Sequence, residues 1–364
     1  MWILGLSRER IHHVKRNLHS QPQMAKDSDI SKVLRAARKD DIELLQAVRF
    51  DGKISDWTIC YHAKTGDSPL HIAAKHCNLR TVRFLLEDWA TENCVSVRNK
   101  NGKTALHEAA QNAEPEIVNY LIARGAEVNC IKGADWTPLM LACTKSGVRA
   151  LETVRVLLAS GANPKLCNKD GWTAVHVAAR DSGVAVVRAL LHADASLAGT
   201  RSRNGRTPLH TAALHGKRDT AETLLRHCPA SLEAADACGV TPLLEAARHG
   251  SVEMLQFLLD QGASLDHRDA MGFEALHVAA QAGSLRVLGF LAGACGRDVN
   301  VASQGSGLSP LHCAARAGQL GAVRLLLSMG ADPRLRDRSG RSVSEVAAVC
   351  HKEEIIRLLQ ESSS

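Results

Sequence analysis

Residues 204–216 read NGRTPLHTAALHG, and this short stretch decides the fold because variants of it recur along the chain. Its centre, Thr-Pro-Leu-His, returns in related form every 33 to 36 residues. The nine motifs begin at Ser68, Thr104, Thr137, Thr173, Thr207, Thr241, Glu274, Ser309 and Ser342. A constant period of this length is typical of proteins built from stacked structural repeats.

The residues of one repeat predict two short helices. Thr207 is a good N-cap, and Pro208 falls at the first helical position, where a missing N–H costs nothing. The pair Ala212-Ala213 keeps the first helix thin, and a later Leu-Leu pair marks the second. Glycines placed to end second helices in the left-handed conformation follow at Gly125, Gly161, Gly262 and Gly330.

Each repeat leaves an apolar face unburied, so its neighbours must stack against it. Residues 29–50 and 352–361 match the two terminal caps, which gives about ten units. The whole pattern resembles the ankyrin repeat. That resemblance implies an all-α solenoid of stacked helix pairs joined by hairpin loops, and we expect a single domain over residues 29–364.

Residues 1–28 differ from the repeats, with an apolar start and an excess of basic residues. We expect a basic, disordered extension. A mitochondrial presequence has a similar composition. The alternative is an extended start with no structural role, because Met24 precedes the first amphipathic helix.

Composition narrows the possible environments. Of the 364 residues 45% are hydrophobic but only 3% aromatic, which predicts a core of Leu, Ala and Val. No apolar run approaches 18 residues, so no membrane association is expected. The eleven cysteines never form a CxxC pair, which favours a reducing compartment over a disulfide framework. A cytoplasmic location, and a nuclear one as well, fits these features.

Neither metal nor catalytic chemistry is indicated. Six of the 17 histidines stand at the fourth position of the repeated motif, where they are expected to form hydrogen bonds between repeats: His71, His107, His176, His210, His277 and His312. Phosphate-loop, nucleophile-elbow and zinc-protease motifs are missing from the sequence. We therefore predict a binding protein that is not an enzyme and needs no cofactor.

Charge is distributed in bands. Residues 137–206 contain ten basic and four acidic residues, whereas residues 241–273 contain two basic and five acidic residues. Alternating bands favour protein partners over a continuous phosphate backbone, and few aromatics are available for base stacking. Direct nucleic-acid binding is not expected, and we expect a monomer.

The residue before each motif falls at a hairpin tip and therefore repeats along one edge. Trp136, Trp172 and Arg206 take this position in three consecutive repeats, and Arg180 belongs to the adjoining first-helix positions. Exposed aromatic residues beside cations are typical of binding hot spots. We predict that Trp136 and Trp172 form an exposed ladder beside Arg206, and that these three residues and Arg180 bind a partner. The alternative is that each tryptophan folds over its own hairpin.

A narrower resemblance is carried by residues 132–147 (KGADWTPLMLACTKSG), 163–172 (NPKLCNKDGW), 204–216 and 236–246 (DACGVTPLLEA). These strings are similar to ankyrin-repeat cofactors of alanyl-tRNA synthetase. The resemblance implies that the chain binds the synthetase catalytic domain, accepts misactivated serine on lysine side chains and so keeps serine off alanine tRNA. The implied function is a contribution to translational fidelity.

The serine acceptors implied by this resemblance are Lys169 and Lys132. Gly133 stands where the family has a second lysine, and a third family lysine, expected between Ser196 and Arg206, is missing. Lys145 and Lys165 are nearby candidates that we add. The other reading is a non-catalytic scaffold or adaptor for a different protein partner.

Overall fold

A computed structural model describes residues 27–52, 54–89 and 94–361. Within these residues the chain contains twenty α-helices and no named strand, which confirms the all-α solenoid of helix pairs. The extension expected at residues 1–28 lies outside the described residues, except for Asp27 and Ser28, which already belong to the first helix.

The described residues group into two compact units. The first consists of the residues up to Ala109 together with Tyr120–Glu127, and the second of Ala110–Asn119 together with the residues from Val128 onward. Helices α5 (Ala105–Gln111) and α6 (Pro115–Ala123) contribute to both. The expectation of a single domain over residues 29–364 stays a prediction.

Four helices lie wholly in the first unit: α1 (Asp27–Lys39), α2 (Ile42–Phe50), α3 (Pro69–Lys75) and α4 (Leu79–Glu87). The α1–α2 pair is the predicted amino-terminal cap. The indole N–H of Trp57 donates to the backbone oxygen of Leu85 at 3.1 Å, and the Trp57 side chain is fully buried. This contact anchors the long connection between α2 and α3 to α4.

The second unit holds the remaining helices. They are α7 (Pro138–Ala142), α8 (Val148–Ala159), α9 (Ala174–Asp181), α10 (Val184–Ala193), α11 (Pro208–Leu214), α12 (Arg218–His227), α13 (Pro242–His249), α14 (Val252–Asp260), α15 (Ala275–Ala282), α16 (Leu285–Gly289), α17 (Pro310–Ala317), α18 (Leu320–Ser328), α19 (Val343–Val349) and α20 (Glu353–Glu361). A short π-helix, Phe290–Ala294, extends α16. Odd-numbered helices are the first helix of a repeat and even-numbered helices the second, or outer, helix.

Local sequence explains where the helices begin and end. The N-cap of α11 is Thr207, followed by Pro208 as the sequence predicts. At the end of α8 the N–H of Gly161 donates to Leu158 and that of Ala162 to Leu157, with Gly161 at a φ of 87°. This is the glycine-terminated cap expected from the sequence, and it turns the chain toward the next hairpin.

The hairpin loops are joined from one repeat to the next by backbone hydrogen bonds. Lys169 N–H donates to Ala134 at 3.1 Å, and Arg203 N–H donates to Asp170 at 3.0 Å. Gly171 permits the second contact, because a Cβ there would lie 2.5 Å from the nitrogen of Arg203. The hairpins of the second unit therefore form one edge along which their tip residues follow each other in order.

The repeat that begins at Thr137 departs from the others. Its first helix, α7, has only five residues, and its second helix, α8, has twelve. Met140 stands in place of the motif histidine, as Leu244 and Glu345 do in two other repeats. The extra residues of this 36-residue repeat therefore lengthen the second helix and its approach. The hairpin before this repeat still accepts the hydrogen bond from Lys169 N–H at Ala134.

Candidate partner-binding surface

The motif histidines form a buried row, and this confirms that they are structural. In His176 the ring Nδ1 lies 3.0 Å from the Thr173 hydroxyl, and Nε2 lies 3.1 Å from the backbone oxygen of Arg206 in the next repeat. The same link to the next repeat is made by His71, His210, His277 and His312. Burial lowers the pKa of His176, His210 and His277 to about 4, so these rings are neutral at pH 7.

The two tip tryptophans are half-buried, which corrects the expectation of an exposed ladder. The Trp172 ring lies 6.0 Å from the His176 ring, and the Arg180 guanidinium lies 5.1 Å from its centre. Lys132 Nζ lies 5.6 Å from the centre of the Trp136 ring. Each indole is therefore covered by a cation of its own repeat unit. This arrangement is closer to the alternative, in which each tryptophan folds over its own hairpin, than to an exposed ladder.

The arginines proposed for partner binding are held by carboxylates of the same chain. Arg206 Nε lies 3.2 Å from Asp236, and its guanidinium also bonds the fully buried Glu245. Arg180 donates two hydrogen bonds to Asp181, at 2.9 and 2.8 Å. These bonds are the main reason that the pKa of Arg180 lies above its usual value. Arg206 is therefore a structural residue, whereas Arg180 keeps a half-exposed guanidinium over Trp172.

Buried carboxylates are the residues that sequence reasoning missed. Burial raises the pKa of Glu245, even though Arg248 and Arg206 act against it. Burial would also raise the pKa of Asp236. The N–H groups of Val240 and Cys238 and the Arg206 guanidinium outweigh that effect, so the Asp236 pKa is lowered. The sequence separation of 39 residues between Arg206 and Glu245 hides the pair from any local pattern.

The four lysine candidates have different surroundings. Lys169 and Lys145 are exposed, and neither ammonium has an ion-pair partner among the residues that the structure describes. Lys165 Nζ bonds Asp194 at 2.8 Å, and this bond is the main reason that the pKa of Asp194 falls to about 2. Lys132 is half-buried over Trp136. The structure thus brings Lys132 and Lys169 onto hairpins that share a backbone bond.

An open groove of about 510 Å³ continues the hairpin edge beyond Arg206. Val240, Met271 and Phe273 are among its apolar lining residues, and Arg206 and Arg248 are among its polar ones. Met271 is 50% exposed, and Phe273 is buried against His277 with ring centres 5.4 Å apart. This amphipathic groove was not expected, although the Met-Gly-Phe sequence at 271–273 places two large apolar side chains at a tip.

Other kinds of site are not seen in the described part of the chain. No group of three His, Cys, Asp or Glu side chains is arranged to hold a metal ion there. None of the helices described is both long and apolar enough to cross a membrane. Across residues 27–52, 54–89 and 94–361 the functional features are open surfaces made of hairpin tips and helix faces.

These open surfaces on stacked helix pairs define a helical-repeat binding protein. A family model described as ankyrin repeats (3 copies) matches residues 33–132, 99–166, 139–236, 227–303 and 276–364. The chain belongs to the ankyrin-repeat family. Ankyrin repeats indicate a protein-interaction scaffold, and proteins of this kind are in general not catalytic.

Two curated relatives share part of this array. The serine/threonine-protein kinase VIK of Arabidopsis thaliana is 38% identical over 78 residues, which is 21% of this chain and 18% of the kinase. The 26S proteasome non-ATPase regulatory subunit 10 of Dictyostelium discoideum is 35% identical over 77 residues, 21% of this chain and 33% of that subunit. The matched region thus spans a third or less of either relative.

Proposed function

We propose that this protein is a binding cofactor of alanyl-tRNA synthetase that accepts misactivated serine on lysine side chains. The proposal rests on the resemblance of residues 132–147, 163–172, 204–216 and 236–246 to such cofactors. The observation that supports it best is the exposed, unpaired ammonium of Lys169. This lysine lies on a hairpin bonded to the one that carries Lys132.

The proposed reaction needs no catalytic group beyond the lysine amine itself. Seryl-adenylate is a mixed anhydride, so a neutral lysine amine attacks its carbonyl carbon, AMP leaves, and the nitrogen loses a proton as the amide forms. At a typical lysine pKa only about one side chain in a few thousand is neutral at pH 7. The protein must therefore hold an accessible lysine close to the adenylate, and docking on the synthetase catalytic domain would supply that high local concentration.

Surroundings rank the four candidates. Lys169 comes first and Lys145 second, because both are exposed and neither donates to a carboxylate of the described chain. Lys165 must break its bond to Asp194 before it can react. Lys132 must leave the face of Trp136. We therefore assign Lys169 as the main acceptor and place Trp172 and Arg180, which adjoin its hairpin, in the docking surface.

The test is a mass measurement after incubation with synthetase, ATP and serine. Wild-type protein should gain one seryl group that survives denaturation, because an amide is stable. Lys169→Arg should bind the synthetase within about twofold of wild type, since the charge is kept, but lose most of the label. Lys165→Arg is the matched control and should keep both.

Binding without any label on wild-type protein would overturn the acceptor chemistry. The second candidate, a scaffold for another protein, is favoured by one observation, the amphipathic groove at Val240, Met271 and Phe273. If the synthetase does not bind at all, that scaffold function replaces the proposal. A label that persists in Lys169→Arg would move the assignment to Lys145.

A further inference from the structure

A groove lies away from the hairpins, between the outer helices α8 and α10. Its volume is about 630 Å³. Its lining residues are Leu151, Arg155, Leu158, Ala185, Arg188, Ala189, His192 and Ala193. The floor is therefore aliphatic, and the polar side chains in it are all basic.

Alanines on α10 create this groove. Aligning the Leu-Leu pairs at 190, 224 and 258 places Ala189 at the same position as Thr223 and Phe257 of the outer helices α12 and α14. The corresponding groove between α12 and α14 is lined in part by Phe257 and has a volume of about 240 Å³. A small side chain at residue 189 thus leaves space that a larger one occupies two repeats later.

The charges at the edge of the groove are unbalanced. Arg155 and Arg188 take the same register on adjacent helices, each two residues before a buried leucine. Neither has an ion-pair partner among residues 27–52, 54–89 and 94–361, and His192 lies one turn beyond Arg188. In the α12–α14 groove the residue at this register is Glu222, which bonds Arg226 at 2.5 Å. Charge is therefore neutralised there and left unneutralised between α8 and α10.

We propose that the α8–α10 groove binds an acidic amphipathic helix of a partner protein. Leucine-type side chains of that helix would contact Leu151, Leu158 and the alanines, which allow close approach. Glutamates or aspartates on its flanks would pair with Arg155 and Arg188. The groove is open, so a helix bound in it would stay half-exposed. Small-molecule sites, in contrast, enclose most of their ligand.

Two other occupants fit the charges poorly. Residues 1–28 carry Arg8, Arg10, Lys15 and Arg16 against a single glutamate before residue 24, so this segment would meet like charge. A second copy of the chain, paired through a two-fold axis, would bring two basic edges together. The inference does not depend on the proposed acceptor chemistry, because none of the four candidate lysines lines the groove.

The probe is a synthetic helical peptide of about 14 residues, roughly 21 Å long, with a leucine stripe flanked by glutamates. A matched peptide has lysines in place of the glutamates. We expect wild-type protein to bind the glutamate peptide at least about tenfold more tightly than the lysine peptide in fluorescence anisotropy. Amide NMR shifts should change mainly along α8 and α10.

Variants on the exposed helix surface keep the fold and isolate the site. Arg155→Glu with Arg188→Glu should reverse the preference between the two peptides. Arg324→Glu with Arg357→Glu changes the net charge equally, uses the same register on α18 for its first position, and should leave the preference intact. Ala189→Phe, which installs the residue found at this register on α14, should weaken binding by at least about tenfold through loss of space.

Several results would overturn the proposal. One is equal loss of binding in the two double variants, because it would show a response to net charge alone. Another is protein self-association that Arg155→Glu with Arg188→Glu abolishes, which would assign the groove to a second copy. A third is saturable binding of laurate with shifts along α8 and α10 and none from the glutamate peptide, which would assign it to a lipid-like anion.

Discussion

Residues 137–206 and 241–273 have opposite net charges, and the structure uses those charges in opposite ways. Most cations of the basic segment remain at the surface, and Lys169, Arg155 and Arg188 have no ion-pair partner in the described part of the chain. In the acidic segment Glu245 is fully buried and bonded to Arg206. The first segment thus offers charge to a partner, whereas the second places a carboxylate in the core.

Net charge along a sequence is therefore a poor guide to the charge that a partner meets. Arg206 adds one positive charge to the basic segment, but Asp236 and Glu245 neutralise it. Similarly, the charges of Arg297 and the buried Glu274 neutralise each other in an ion pair of 2.7 Å. A partner meets only the charge that remains after such pairs are made.

Acid is expected to have the largest effect, because it acts on three buried histidines at once. Unfolded histidine takes up a proton near pH 6.5, but His176, His210 and His277 do so only near pH 4 in the folded protein. Between these values the unfolded state binds more protons. Stability should be constant above pH 7 and fall by about 5 kcal/mol by pH 5.

Urea unfolding followed by circular dichroism at several pH values measures this loss. His210→Gln should be less stable than wild type at pH 7 and should lose less on acidification. His192→Gln alters an exposed histidine and should keep the wild-type dependence. A wild-type curve that stays flat until pH 4 would contradict the assignment, because only carboxyl groups titrate there.

Removing Arg206 should have the next largest effect. Arg206→Met leaves the buried Glu245 and the half-buried Asp236 without the Arg206 guanidinium, which should cost about 3 kcal/mol of unfolding free energy at pH 7. Arg248→Met is the matched control, because Arg248 is 44% exposed and 3.8 Å from Glu245, and it should cost well under about 1 kcal/mol. Equal losses of unfolding free energy in the two variants would mean that Arg206 and Arg248 contribute equally to neutralising Glu245.

The smallest effects should have opposite signs in the two outer grooves. Arg188→Gln removes a cation that faces Arg155 at the same register, so stability should rise by up to about 0.5 kcal/mol. Arg226→Gln removes the partner of Glu222 and should lower stability by a similar amount. Measurements of both variants at low and high salt test this, since screening should shrink both changes toward zero. A loss of stability in Arg188→Gln would show that Arg188 already has a stabilising role in the chain alone.

Local and periodic features could be predicted from the sequence. The Thr207 N-cap, the glycine that ends α8 and the six motif histidines all depend on residues within one repeat or on a fixed offset to the next. The period of 33 to 36 residues supplied that offset. This is why the solenoid and its histidine row were both expected.

Features that depend on specific pairs between repeats could not be predicted. Trp172 is covered by Arg180 because the helix α9 carries the arginine back over the hairpin tip, and the motif alone does not specify side-chain direction. The alanines of α10 are visible in the sequence, but the groove exists only because α8 supplies Leu151 and Leu158 opposite them. The acceptor function itself stays a prediction, since no geometry in the described residues identifies a substrate.

The repeat beginning at Thr137 has a consequence for how such arrays change length. It holds two or three residues more than most of the others, yet its hairpin still joins the next through the bond from Lys169 N–H to Ala134. All of the surplus is absorbed between α7 and the first turn of α8. In this repeat the connection between the two helices therefore takes up an insertion while the contact between neighbouring hairpins is kept, so later repeats are not shifted.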